Sequence, residues 1–194
     1  MDEIHVIDTS RIWLLGVVYQ GERLLRNHED LLALLSRLAA GSIDADGRAK
    51  FKYLNELRIV EEHFFVIAVG KAMQWLALAR PIDPELKTSI DRFQQEVPDS
   101  KDIRNMREHD DAYLEGRGHA QSRFVHVLGT PENPNSTATD GTSTVIRTGE
   151  YLLGGRLCVQ KAISGAQRLL PAVETTVSHF ANRSGFFDSG LEHE

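Results

Sequence analysis

A single cysteine, Cys158, among 194 residues excludes an internal disulfide and suits a reducing compartment. A surplus of basic residues is missing too. Acidic side chains number 28 against 22 basic ones, for a net charge of -6, so general adhesion to DNA or to an anionic membrane is disfavoured, although a local basic patch is not. There is no run of the ~20 apolar residues that a membrane span needs. The most apolar segment, residues 64–79, is interrupted by Gly70, Lys71 and Gln74 and reads as a buried core helix. The opening stretch, MDEIHVIDTSRIW, carries acids where a signal peptide carries bases. The expectation is a cytoplasmic chain that does not enter a membrane. No phosphate-cradling glycine loop appears, since Gly116-Arg117-Gly118 is too short and reads as a helix stop. No serine sits in a G-x-S-x-G elbow, and Leu152 to Gly155 looks like a strand end, not a dinucleotide fingerprint.

What is present is helical periodicity. Ser10 reads as an N-cap, followed by Ile12, Leu15, Tyr19, Leu24, Leu25, Leu31, Leu32, Leu35 and Leu38, with Gly16 and Gly21 as bending points and Gly41 as the stop. Asp44 or Asp46 opens a second helix to about Arg80, amphipathic at first and apolar nearly all round in its second half, which predicts the central helix. Asp83-Pro84-Glu85 starts a third helix to about Val97, and residues 98–100 start a fourth that ends at Gly116 or Gly118. Residues 123–128 (RFVHVL) are rich in strand formers, and a polar stretch follows that predicts a mobile loop. Residues 144–147 and 151–153 flank a turn and predict a β-hairpin. A last helix is predicted from Arg156 to Phe180, with Cys158 as a small core residue and Pro171 as a kink. The predicted fold is mainly α: one helical domain over 1–194, a bundle of about five helices with a small antiparallel β-element before the last. Residues 10–118 form the first helices, 122–154 the β-element and 156–180 the closing helix.

The densest chemistry lies in IRNMREHDDAYLEGRG, residues 103–118. On a helical wheel Ile103, Met106, Tyr113 and Leu114 share one face, with Asp110 in its middle and His109 at its edge. Arg104, Glu108, Arg107 and Asp111 fall further out and form two i,i+4 pairs, the usual pattern of a solvated face. Asp110 departs from it, because a carboxylate on an apolar face needs a partner, and a structural pairing is the simpler role. The other polar cluster in apolar surroundings is Glu61-Glu62-His63. If the second and fourth helices face each other, Glu62 and His63 approach Glu108, His109 and Asp110 and build one polar network. A carboxylate-bridged metal site in a bundle uses Glu-x-x-His twice. Glu62-His63 and Glu108-His109 are adjacent pairs whose side chains diverge, so no metal and no other cofactor is expected.

Arg104-Asn105-Met106-Arg107-Glu108-His109 reads R-N-x-x-x-H and resembles the R-x4-6-H motif of the HEPN superfamily. The resemblance covers at most residues 10–180 and rests on six of them. It implies a small helical bundle in which Arg104, Asn105 and His109 are the catalytic residues of a metal-independent ribonuclease of a toxin–antitoxin or defence system. A homodimer would place two motifs in one cleft, with RNA as substrate and an antitoxin protein as partner. Other members of the superfamily have lost catalysis and serve as binding modules. The motif lies nearer mid-chain than in many members, and Asp110 and Asp111 directly after the histidine oppose a phosphate backbone. The chemistry the resemblance implies is coherent. A histidine can act as general acid or base near neutral pH, and an arginine can hold a phosphate and stabilise developing charge. Arg104 and His109 stand about 140° apart on one helix, which favours a site shared between two copies. The competing reading is a non-enzymatic helical module that dimerises or binds a partner protein.

Overall fold

The computed structural model describes residues 2–119, 121, 125–127, 137–139, 144–147 and 149–183. It is a helical bundle. Helix α1 is Glu3–Ala39, α2 Ala45–Ala79, α3 Pro84–Glu96, α4 Ser100–Glu108, α5 Asp110–Leu114 and α6 Val159–Arg183. Among the described residues five short strands precede α6: β1 (Val125–Val127), β2 (Thr137–Thr139), β3 (Thr144–Arg147), β4 (Glu150–Leu153) and β5 (Leu157–Cys158). β1 and β2 pair antiparallel, Val125 opposite Thr139, and β3, β4 and β5 form an antiparallel sheet in that order, with Ile146 opposite Tyr151.

The long helices α1 and α2 run antiparallel, joined by a turn at Gly41, where φ is +65°. Asp44 caps α2 by accepting from the Gly47 amide at 2.8 Å, and Asp83 caps α3 by accepting from Glu85 N at 2.8 Å. Helix α6 lies along α1 and closes over α3, and the core gathers Leu14, Leu24, Phe65, Val69, Ile90, Phe93, Ile103, Met106, Leu157 and Ala166. A second, smaller apolar group, Leu31, Leu34, Ile43 and Leu54, sits where α1 and α2 extend past the rest of the bundle.

Several local expectations change. Asp2, not Ser10, caps α1, its carboxylate accepting from the Ile4 amide. Ser10 is fully buried and donates to the Val6 carbonyl at 2.9 Å, as a hydroxyl inside a helix does. Gly21 serves close approach: a Cβ there would stand 2.6 Å from Ile163 Cγ1 of α6. Leu157 and Cys158 form β5 instead of the first turn of the last helix, and Cys158 is buried all the same. Thr137–Thr139, placed in a loop by its composition, pairs with β1 because a partner strand satisfies its backbone. The rest of that loop, residues 130–136 and 140–143, the ends of the expected strand at 123–124 and 128, and the tail from 184 lie outside the described residues.

The largest departure is in the charged stretch. The predicted single helix is two, because α4 stops at Glu108 and His109 adopts φ -133° and ψ 39° before α5 begins. His109, Asp110 and Asp111 are all weak helix formers, and Asp competes for backbone donors. The bundle therefore has six helices among the described residues, the extra one a short helix split from the fourth.

Candidate functional site

Glu62 is the hub. It lies on the inner face of α2, one turn after Arg58, with its side chain only 2% exposed. Such a carboxylate must find donors, because an unpaired buried charge is prohibitively costly. It finds four from three parts of the chain. Arg58 Nη1 donates to Oε1 at 2.6 Å, Thr144 Oγ1 of β3 at 2.8 Å and the Tyr151 hydroxyl of β4 at 2.5 Å. Arg107 Nη2 of α4 donates to Oε2 at 2.9 Å. Burial alone would raise the Glu62 pKa. The Tyr151 hydrogen bond, the charge and hydrogen bond of Arg107, and Thr144 outweigh that and hold it below the ordinary 4.5. Burial, then the Glu62 charge, push the Tyr151 phenol well above its ordinary value.

Local structure explains the convergence. In β4 alternate residues face inward, which turns Tyr151 and Leu153 to the core. Gln160 of α6 fastens the hairpin, accepting from the Tyr151 amide and donating to the Gly149 carbonyl, both at 3.0 Å. Helix α4 presents Ile103 and Met106 to the core, and Arg107 follows them inward beside α2. His28 of α1 meets the Tyr151 ring edge-on, with centroids 4.9 Å apart.

The predicted residues are only partly brought together. Glu62 joins the network, whereas His63 is half-buried and meets the Phe64 ring edge-on. Arg104 is half-buried, its stem lies over Gly70, and its guanidinium meets Glu108 at 3.2 Å, the i,i+4 pair expected. Arg104 also donates to Asn105 Oδ1 at 3.3 Å. With Ser100 and Lys101 it borders an open cavity of about 400 Å³ against α2. His109 is exposed at the break between α4 and α5. The side chain of Asp110 lies outside the described residues, so its expected burial is not described.

Arg107 corrects its reading as a solvated residue paired with Asp111. It is 7% exposed and bound to Glu62, because Asp111 lies beyond the helix break while Glu62 lies directly across on α2. Sequence reasoning missed Arg58, Arg107, Thr144 and Tyr151 as partners of Glu62. Only the i,i+4 spacing of Arg58 and Glu62 carried a local signal. Among the described residues no three His, Cys, Asp or Glu side chains gather where a metal ion could sit, and no described helix is long and apolar enough to cross a membrane.

The class these observations define is a helical bundle locked by a buried Arg–Glu–Arg–Tyr cluster. No family model, no curated protein and no solved structure matches the chain. The likeness to the HEPN superfamily therefore rests on the motif residues Arg104 to His109.

Proposed function

We propose that this chain is a non-enzymatic helical module that works as a homodimer through the outer face of α1 and α2. The observation that carries this is an apolar stripe on α2 whose Tyr53, Val60 and Phe64 stay exposed, while Leu57 packs partly against the Leu31–Leu54 cluster and Ile67 is half-buried. Tyr53, Leu57, Val60, Phe64 and Ile67 follow one another at alternating steps of four and three residues, the spacing of a helix-pairing seam. Tyr53 is 61% and Phe64 53% exposed, and Val60 and Leu78 are exposed as well. Ile12, Leu15 and Tyr19 of α1 are exposed too. The antiparallel register, with Gly16 against Ala68 and Arg23 bonded to Glu61 at 2.8 Å, sets Tyr19 beside the turn that carries Phe64. A two-helix apolar face of this kind is self-complementary under a two-fold axis and would bury itself as a four-helix layer. Light scattering on the wild type and on Phe64→Glu tests it: a dimer that becomes a folded monomer supports the reading, and a wild-type monomer at micromolar concentration overturns it.

A second reading, a metal-independent endoribonuclease of the HEPN kind acting on RNA in a toxin–antitoxin or defence setting, is favoured by one specific observation. Arg104 and His109 both reach solvent, and Arg104 borders an open cavity beside the exposed Lys101. In that reading His109 is the acid–base group, Arg104 the phosphate ligand and Asn105 the residue that orients them, with the second motif supplied by the partner copy. Against it stands the Arg104–Glu108 pair, which a substrate phosphate would have to displace. Cleavage of labelled RNA in EDTA, lost in His109→Ala, is its test.

A further inference from the structure

The buried cluster is not electrically balanced. Glu62 brings one negative charge, whereas Arg58 and Arg107 bring two positive ones, and among the described residues neither guanidinium has a second carboxylate within ion-pair distance. A surplus cation in a partly buried setting calls for an anion. Arg107 is enclosed, so the surplus reaches solvent through Arg58, whose side chain is 24% exposed.

Arg58 opens onto a cavity of about 340 Å³ formed by α1, α2 and the hairpin. The cavity has two unlike linings. His28, Asn55, Arg58 and Thr144 belong to its polar lining, and Leu32, Leu35 and Ile146 to its apolar wall. His28 to Leu35 spans two turns of α1, roughly 10 Å at about 1.5 Å per residue. The apolar wall thus runs away from Arg58 over the length of a medium aliphatic chain. All three wall residues are exposed. Burial, and then the charge of Arg58, lower the His28 pKa from 6.5, so the imidazole is neutral at pH 7 and adds a donor without adding charge. The site therefore offers one surplus positive charge, an imidazole hydrogen-bonding group and an apolar trough, while the Thr144 proton stays on Glu62. Ligand sites of about this volume, with a few convergent polar groups in apolar walls, are common in proteins.

We propose that this cavity binds a small amphipathic monoanion, a carboxylate with an aliphatic tail, its head on Arg58 and its tail along Leu32, Leu35 and Ile146. Arg58 Nη1 donates to Glu62 and Thr144 and Nε to Asn55 Oδ1 at 3.4 Å, which leaves Nη2 to donate to a carboxylate, and a carboxylate carries the single charge that balances the cluster. The head displaces no bond of Glu62, which keeps Arg58, Tyr151, Thr144 and Arg107.

Titration calorimetry on the full chain at pH 7 tests this with octanoate, acetate, 1-octanol and octylammonium. Octanoate is expected to bind at least about tenfold tighter than any of the other three, since a charge-assisted head contact and tail burial are each worth that much. Arg58→Gln is expected to weaken octanoate at least about tenfold and to erase the preference over 1-octanol. Because Arg58→Gln also touches the Glu62 cluster, Leu35→Glu provides a second variant on an exposed wall position, where the fold is retained and the added carboxylate must be desolvated for the tail to be buried. It should weaken octanoate by a similar factor, with circular dichroism unchanged. Absence of octanoate binding to the folded wild type at millimolar concentration, equal binding of octylammonium, or indifference to Leu35→Glu would each overturn the proposal.

Discussion

The Tyr151 hydroxyl donates to Glu62 Oε1 at 2.5 Å across 89 residues of sequence, with both side chains buried. That bond joins the β-hairpin to the central helix, and through Arg107 it also ties α4 to the same carboxylate. The cluster fixes where the β-element docks on the bundle, and its stability consequences can be measured.

Removing the hub should be severe. Glu62→Ala leaves Arg58 and Arg107 without their carboxylate inside the bundle, and breaking a buried pair in this way costs about 3–5 kcal/mol. Tyr151→Phe, which removes one hydrogen bond to a charged group and keeps the ring, should cost less, about 1.5–3 kcal/mol. Urea unfolding of both variants checks the ranking. Equal stability of Glu62→Ala and wild type would place the carboxylate in solvent.

The same cluster sets the response to pH. The folded pKa of Glu62 lies below its ordinary 4.5, so its contribution is present above 4.5 and is lost as the pH falls from there through the lowered folded value. Tyr151 works at the other end. Its folded pKa lies above the ordinary 10.0, so stability holds below pH 10 and is lost as the unfolded chain ionises above it. Thermal melts from pH 3 to pH 11 should show both losses. In Tyr151→Phe the alkaline loss should shrink, and an unchanged alkaline limb would assign it to another group.

The outer face of α1 and α2 should decide the association state. Phe64→Glu and Val60→Glu each place a charge on the proposed seam, and each should convert the dimer to a monomer while far-ultraviolet circular dichroism stays the same. Ile59→Glu serves as the control. Ile59 is also exposed on α2, but it falls outside the four–three stripe and should leave the dimer intact. Dissociation by all three variants alike would point to general destabilisation instead of a seam.

For the ribonuclease reading, cleavage in EDTA should fall by about 10²–10⁴-fold in His109→Ala, the usual worth of an acid–base group. Glu108→Gln should raise cleavage, because it frees the Arg104 guanidinium from its 3.2 Å partner. Cleavage that persists in His109→Ala would mean another site or a contaminant. Wild type inert on every RNA tried would leave the non-enzymatic module.

Much of the bundle was legible locally. Asp44 and Asp83 as caps, Pro84 in the first turn of α3, the turn at Gly41 and the hairpin between residues 144 and 153 all depend on neighbours a few positions away, where propensity and capping act. The face each helix buries was less legible. On α1 the apolar residues Ile12, Leu15, Tyr19, Leu32 and Leu35 point outward, whereas Val6, Leu14, Val17 and Leu34 point in, because both sides of that helix carry apolar residues and periodicity cannot choose between them.

What the sequence by itself determined is the long helices α1, α2, α3 and α6 and the β3–β4 hairpin, since these follow from local backbone preferences and capping. Tertiary structure decided which charges meet across elements, whereas Arg58–Glu62 and Arg104–Glu108 follow from i,i+4 spacing. Arg107 could have taken Asp111 four residues on, but the break at His109 turned the chain, and α4 delivered it to Glu62, 45 residues back. Tyr151 reached the same carboxylate because β4 alternates and Gln160 anchors the hairpin. A buried carboxylate bonds to whatever donors the packed elements bring within about 3 Å, and for the donors on α4, β3 and β4 nothing in the spacing of residues along the chain encodes that distance.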